Sequence, residues 1–153
     1  MLRLRTPIES DWSAIHAIAN RSVADVPDAG DQADWLANRR SFSRRGQQSH
    51  FVITDGPQIV GYGALEREER TPLGEYRLFV VTEPHRLDEV GDVLLRRLEQ
   101  LLDEFDATGS WFVEYASDRR LVRFLESRGY AESRRFVLPT GQPGIVLTKA
   151  RPT

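Results

Sequence analysis

The chain has 153 residues, 21 Lys and Arg against 23 Asp and Glu, a formal net charge of -2 and no Cys. That length fits one domain able to bury its own core, and the lack of Cys excludes disulfides, thiolate metal sites and cysteine nucleophiles. A balance this close to neutral, without a basic block, argues against nucleic acid as the main partner. No apolar run approaches a membrane span, and the opening MLRLRTPIES lacks a signal-type apolar stretch, so a cytoplasmic location is expected.

In chain order, LRLR (Leu2 to Arg5) alternates like a half-buried strand. Ser10 or Asp11 can cap a helix that carries Trp12, Ile15, Ile18 and Ala19 on one face. DVPDAGDQ breaks that helix, and Asp31 opens a second amphipathic segment through Trp35, Leu36 and Phe42. HFVITDGPQIVGYGALERE reads as a hairpin, two β-branched runs around an Asp-Gly-Pro turn. TPLG is a further turn and EYRLFVV a further strand.

EPHRLDEVGDVLLRRLEQLLDEF follows as a polar turn feeding a long helix. Val90, Leu94, Leu98, Leu101 and Phe105 recur there at steps of three and four, the signature of one buried face. SWFVEYA is apolar enough for a strand buried on both faces. Asp118 caps a short helix with Leu121, Val122 and Leu125 inward, and Gly129 is its natural left-handed terminator. RRFVLP and GIVLTK close the chain as a hairpin. There is no internal repeat or linker, so residues 1–153 read as a single α/β domain, a mixed central sheet flanked by helices, in the order β-α-α-β-β-β-α-β-α-β-β. The three His are scattered and show no metal-ligand spacing, so no metal is expected.

Three stretches carry a resemblance. FLESRGYAES is similar to the closing helix-turn-strand of the GNAT family of acyl-CoA-dependent N-acetyltransferases, and FVITDGPQIVGYGAL fits that family's second and third strands. FVVTEPHRLDEVGDVLL resembles the family's strand, loop and helix around CoA, where an Arg or Gln is followed after two residues by Gly and after one more by Gly or Ala. Aligned without gaps, Arg86 takes the Arg/Gln position, Glu89 the first Gly and Gly91 the second. The resemblance implies a GNAT-like fold over the whole chain, with acetyl-CoA as co-substrate and a primary amine of a small molecule or peptide as acceptor. It also admits a homodimer.

The physics of such a loop is simple. A helix N-terminus offers unpaired N–H groups and about half a positive charge to a pyrophosphate, and glycines let the backbone come close. The resemblance therefore implies cofactor contacts at Arg86, Glu89, Val90, Gly91 and Asp92, and backbone contacts to the thioester and pantetheine at Val81 and Thr82. A carboxylate such as Glu89 about 4 Å from a phosphate costs about 1 kcal/mol in water and about 4 at an effective dielectric of 20, unless it turns outward or pairs with Arg86. Asp118 stands where the family often has an Asn touching CoA, although its own sequence context reads as a helix cap. Glu75, six residues before Val81, matches a glutamate that serves some members as base through water; Glu114 and Glu66 are further acids that would need to face the cleft with a raised pKa. The family's Tyr, the acid for the leaving thiol, is replaced by Leu125. The Asp-rich VADVPDAGDQADW suggests a cationic acceptor. A rival reading is a GNAT-fold binding domain that no longer catalyses, motivated by Glu89 and Leu125.

Overall fold

The computed structural model describes residues 1–24, 26, 29–33, 48–67 and 74–151. Its strands are β1 (Leu2–Arg5), β2 (Gln48–Asp55), β3 (Gln58–Glu66), β4 (Glu75–Thr82), β5 (Gly109–Tyr115), β6 (Ala131–Val137) and β7 (Pro143–Ala150). Its helices are α1 (Trp12–Ser22), α2 (Asp92–Glu104) and α3 (Arg119–Ser127). The amphipathic segment expected through Trp35, Leu36 and Phe42 lies outside the described residues, as does most of the TPLG turn.

The strands form one seven-stranded sheet in the order β1-β2-β3-β4-β5-β7-β6. All neighbours are antiparallel except β4 and β5. Period-2 alternation sends neighbouring residues to opposite faces. Val52, Tyr62, Ala64 and Phe79 meet Trp12 and Ile15 of α1 on one face, whereas Ile53, Leu65, Leu78 and Phe112 join Leu94, Leu98, Phe124 and Leu125 on the other. The helices thus pack against both sides of the sheet, giving a single-domain α/β fold.

Two glycines of β3 set how closely α2 and the turn leading into it can lie. A Cβ on Gly61 would stand 2.6 Å from Val90 Cγ1, and one on Gly63 would stand 3.0 Å from Leu94 Cδ2. Gly129 has φ 95° and ends α3, as its position past the last apolar turn predicts. Three local expectations need correction. Asp11 does not cap α1 through its side chain; it accepts the Ile8 N–H at 2.8 Å and the Arg5 guanidinium at 2.6 and 3.0 Å, closing a short turn before the helix. Phe105 follows the last residue of α2, so it is 43% exposed and stacks on Tyr76 instead of joining the core. β5 is not buried throughout: Val113, Glu114 and Tyr115 open on a cavity.

Candidate functional site

The cavity arises where the one parallel pair of the sheet comes apart. β4 and β5 are registered only at Glu75–Gly109, Tyr76–Ser110 and Arg77–Trp111. Beyond Arg77, β4 stays with β3 up to Thr82, while β5 follows β7 up to Tyr115. The two strands therefore diverge toward their C-terminal ends and open a cavity of about 600 Å³. Ligands of α/β sheets commonly settle at the carboxyl ends of parallel strands, where neighbouring connections part.

Backbone direction in β4 follows from its two ends. The Gly74 carbonyl accepts the Thr108 N–H at 2.8 Å and so faces β5, whereas the Glu83 N–H donates to the Val60 carbonyl at 3.4 Å and so faces β3. With no register shift between β3 and β4, even-numbered residues turn their N–H and C=O groups toward β5 and odd-numbered ones toward β3. Val80 and Thr82 thus direct backbone polar groups into the gap after the ladder to β5 has ended. The Val81 N–H, expected from the family resemblance to serve as donor, is turned toward β3, although Val81 lines the cavity. A backbone group left without a ladder partner in a partly enclosed gap is a ready partner for a ligand.

Past Thr82 the chain enters an uninterrupted helical run, a tight turn over Pro84–Arg86, a wide turn over Leu87–Gly91 and then α2. Pro84 and Leu87 line the cavity, placing the positive end of this run at its edge. Ion pairs pin the loop on two sides. Glu83 takes a two-pronged bond from Arg21 of α1, which holds its carboxyl below the usual range. Arg86 donates to Asp55 at 3.0 Å and to Glu89 at 2.9 Å. Glu89 is 59% exposed and has helical, not left-handed, neighbours, so it points outward toward Arg86 without backbone strain.

The other loop residues have structural partners. Val90 is fully buried against α2 and β3. Gly91 has φ -61°, and a Cβ there would meet Leu87 Cδ1 at 2.9 Å and Phe124 Cζ at 3.1 Å. The requirement for glycine at this position is therefore the packing of α2 on α3, where the sequence suggested close approach to an anion. Asp92 pairs with Arg96 at 2.9 Å and Arg128 at 3.5 Å. Among the cofactor residues expected from sequence, Val81, Thr82 and Asp118 line the cavity, while Arg86, Glu89, Val90, Gly91 and Asp92 do not. Asp118 does cap α3, its Oδ1 accepting the Leu121 N–H at 3.4 Å.

Among the acids, Glu75 sits at the closed, paired end of β4 near Gly109 and does not line the cavity. Glu66 is buried on β3 opposite Arg77, also outside it. Glu114 does line it. Alternation along β5 puts Glu114 on the same face as Phe112 and α3, while Trp111, Val113 and Tyr115 face α1. Burial, aided by the nearby Asp118 carboxylate and opposed by Arg77, pushes the Glu114 carboxyl up to about 8. Across the cavity, the Arg77 guanidinium lies over the Phe79 ring at 4.6 Å and near Trp111 at 5.5 Å, on the α1 face.

Leu125 is fully buried in the core. Tyr130 is the core plug beside it: its hydroxyl bonds Ser110 at 2.8 Å, its ring meets Phe112 edge-on, and burial raises its pKa. Among the described residues no three His, Asp or Glu side chains are grouped as metal ligands, and no helix is long and apolar enough to cross a membrane.

The mixed sheet thus parts between its two parallel strands, with backbone groups of β4 turned into the gap and a helix start at its edge. A model of the Acetyltransferase (GNAT) family matches residues 12–130, and the chain belongs to that family. The structure is similar to PaiA N-acetyltransferase from Thermoplasma acidophilum in complex with coenzyme A, with TM-score 0.75, 11% identity and 99% of each chain covered. It is also similar to the ribosomal-protein-S18-alanine N-acetyltransferase from Escherichia coli, with TM-score 0.71, 18% identity, and 98% of this chain and 94% of that one covered. A third similar structure is AAC(6')-Ib in complex with ribostamycin and coenzyme A, with TM-score 0.72, 19% identity, and 98% and 93% covered. No curated protein matches the sequence.

Proposed function

We propose that the protein transfers an acetyl group from acetyl-CoA to a primary amine on a small molecule or peptide. The observation that carries this reading is the divergence of β4 and β5 with the N–H groups of Val80 and Thr82 turned into the gap. A thioester laid along β4 would present its carbonyl oxygen to one of these donors, and the pantetheine arm would bond the next. A backbone N–H aimed at a developing oxyanion is fixed in advance and typically contributes a hundredfold or more to rate. The donor function expected at Val81 passes to Val80, one residue earlier, because of strand direction.

The diphosphate would lie at the start of the helical run, near Pro84 and Leu87. Glu89 is compatible with that placement because its charge is turned away and paired with Arg86. Arg86 in turn acts on the loop by anchoring it to β2 through Asp55. The amine would approach from the α1 face, where Ala19, Ser22 and Asp31 line the cavity opposite the helical run. Asp31 is the one described member of the Asp-rich segment at the cavity that supports a cationic acceptor; Arg77, Arg119 and Arg120 line the same cavity and offset it. Because Glu75 lies outside the cavity, the proton work passes to acids that line it. The acceptors named in the structures of similar proteins, ribostamycin and an alanine of ribosomal protein S18, support an amine acceptor in general terms.

One observation favours the rival reading of a binding domain without turnover: Leu125, in the position of the family's tyrosine, is sealed in the core and offers no proton. Two measurements decide between them. Calorimetry with acetyl-CoA should give a micromolar-range Kd, and thiol release with a panel of primary amines should follow. A folded protein that binds acetyl-CoA without releasing thiol supports the binding-domain reading, and one that gives no heat at high ligand concentration overturns the proposal.

A further inference from the structure

Aminolysis of a thioester moves one proton from nitrogen to sulfur, and Leu125 leaves the departing sulfur without the hydroxyl that the family resemblance implies. We propose that Glu114 is the proton donor to that sulfur, an inference that rests on the acetyl-transfer reading above. Glu114 lines the cavity from β5 just beyond the last β4–β5 pair, where the strands have parted. It lies on the α2 and α3 face of the sheet, the face on which the helical run after β4 begins. The donor's thiol arm therefore runs on the Glu114 side, while the amine arrives from the α1 side.

No described residue gives Glu114 a hydrogen bond or an ion pair. Glu114 is half-buried, its carboxyl at the cavity wall, and burial without a partner favours its protonated form. Its charged neighbours pull in both directions. Asp118, at the start of α3, disfavours a second negative charge, while Arg77 from β4 pulls the other way. Arg119 and Arg120 at the α3 start and Asp31 from the α1 side also line the cavity, and the β6–β7 connection contributes only Leu138, Pro139 and Thr140. Burial outweighs the cations, and the carboxyl sits at about 8, so it is protonated at neutral pH. Asp118 is engaged as the cap of α3, its Oδ1 accepting the Leu121 N–H at 3.4 Å.

The step balances without a further reagent. The amine nitrogen forms a bond to the thioester carbon, and the carbon–sulfur bond breaks with its electron pair leaving on sulfur. The Glu114 proton passes to that sulfur, giving the free thiol and a Glu114 carboxylate. The acylated nitrogen gives its proton to solvent and becomes the neutral amide, and the carboxylate regains a proton from solvent through the open cavity. A leaving thiol with pKa near 8.5 is well matched to an acid at about 8.

The test compares wild type with Glu114→Gln, which keeps size and shape but cannot donate in this way. The readout is the ratio of their kcat values against pH, a ratio in which the acceptor's own ionisation cancels. Near neutral pH the ratio should be about a hundredfold, with KM for acetyl-CoA little changed, and it should fall about tenfold per pH unit above about 8. Glu114→Asp should recover part of the rate. A ratio that instead rises through about pH 8 would make Glu114 the base for the amine and overturn the proposal. A ratio near one at every pH, or a defect confined to KM, would also overturn it. Wild type that binds and consumes acetyl-CoA while showing these contrary ratios sinks this inference alone; wild type that neither binds nor consumes it sinks the acetyl-transfer reading with it.

Discussion

Replacing Glu114 by Gln should stabilise the protein, and by an amount that depends on pH. The carboxyl moves from its ordinary 4.5 to about 8 on folding, so the native state holds its proton more tightly than the unfolded chain. Between those two values the folded protein carries more bound proton, and stability therefore declines as pH rises through the window. Gln has no such dependence. At about pH 5 the gap should be only about 1 kcal/mol, because that pH lies just above the ordinary 4.5 of the unfolded carboxyl while the native one stays neutral. At pH 7 the gap corresponds to about 3 kcal/mol and above pH 8 to roughly 5 kcal/mol, taken as ceilings. Water in the cavity softens the burial, so about 2–3 kcal/mol is the expected advantage of the variant at pH 9. For a chain of this length that is a rise of roughly 4–12 °C in Tm. Urea or thermal unfolding of both proteins at about pH 5, 7 and 9 measures it. An advantage of equal size at every pH would refute the reasoning, because it would trace to packing and not to a buried ionisable group. An acid that destabilises its own fold is the kind of residue a protein keeps for chemistry.

Other expectations follow from named contacts. Asp11 is 6% exposed and holds both Arg5 and the Ile8 N–H, so Asp11→Ala should cost about 2–4 kcal/mol in urea unfolding at pH 7. Its carboxyl is held below the ordinary range, chiefly by Arg5; that stability is present above about pH 4 and lost as pH falls through the folded value, so the two proteins should converge in acid. Gly91→Val would crowd Leu87 and Phe124 and should destabilise by about 1–3 kcal/mol, with a lower urea midpoint. Arg21→Ala removes a half-exposed ion pair and should change stability by less than about 1 kcal/mol, yet raise KM for acetyl-CoA severalfold, because Glu83 holds the β4 exit in place.

The outline of the fold was readable because its determinants are local. The strand β1, the Asp-Gly turn between β2 and β3, the periodic face of α2 up to Leu101 and the glycine that ends α3 each depend on a few residues, and these appear where the pattern puts them. The site was less readable because its determinants are not local. Where the β4–β5 ladder stops depends on which outer strand each one follows, and no residue in either strand announces that. Strand direction then decided that Val80 and Thr82, not Val81, turn their N–H groups into the gap. Gly91 showed that a glycine in a motif can have a second cause: the ring of Phe124, 33 residues away in sequence, already forbids a side chain there. Glu114 did leave a signal, an acid inside the otherwise apolar WFVEYA, but which face it takes is fixed only by the strands around it. Glu75, the acid the family resemblance favoured as base, lies at the closed end of the same strand pair.

The central claim is that the parted strands hold the thioester on backbone groups of β4. A crystal structure of the wild-type protein with acetyl-CoA, or with a non-hydrolysable analogue, tests it most directly. The thioester carbonyl oxygen should lie about 3 Å from the Val80 or Thr82 N–H, with the diphosphate beside Pro84 and Leu87. Acetyl-CoA bound elsewhere, or a gap between β4 and β5 that stays filled by protein when the ligand is bound, would contradict it.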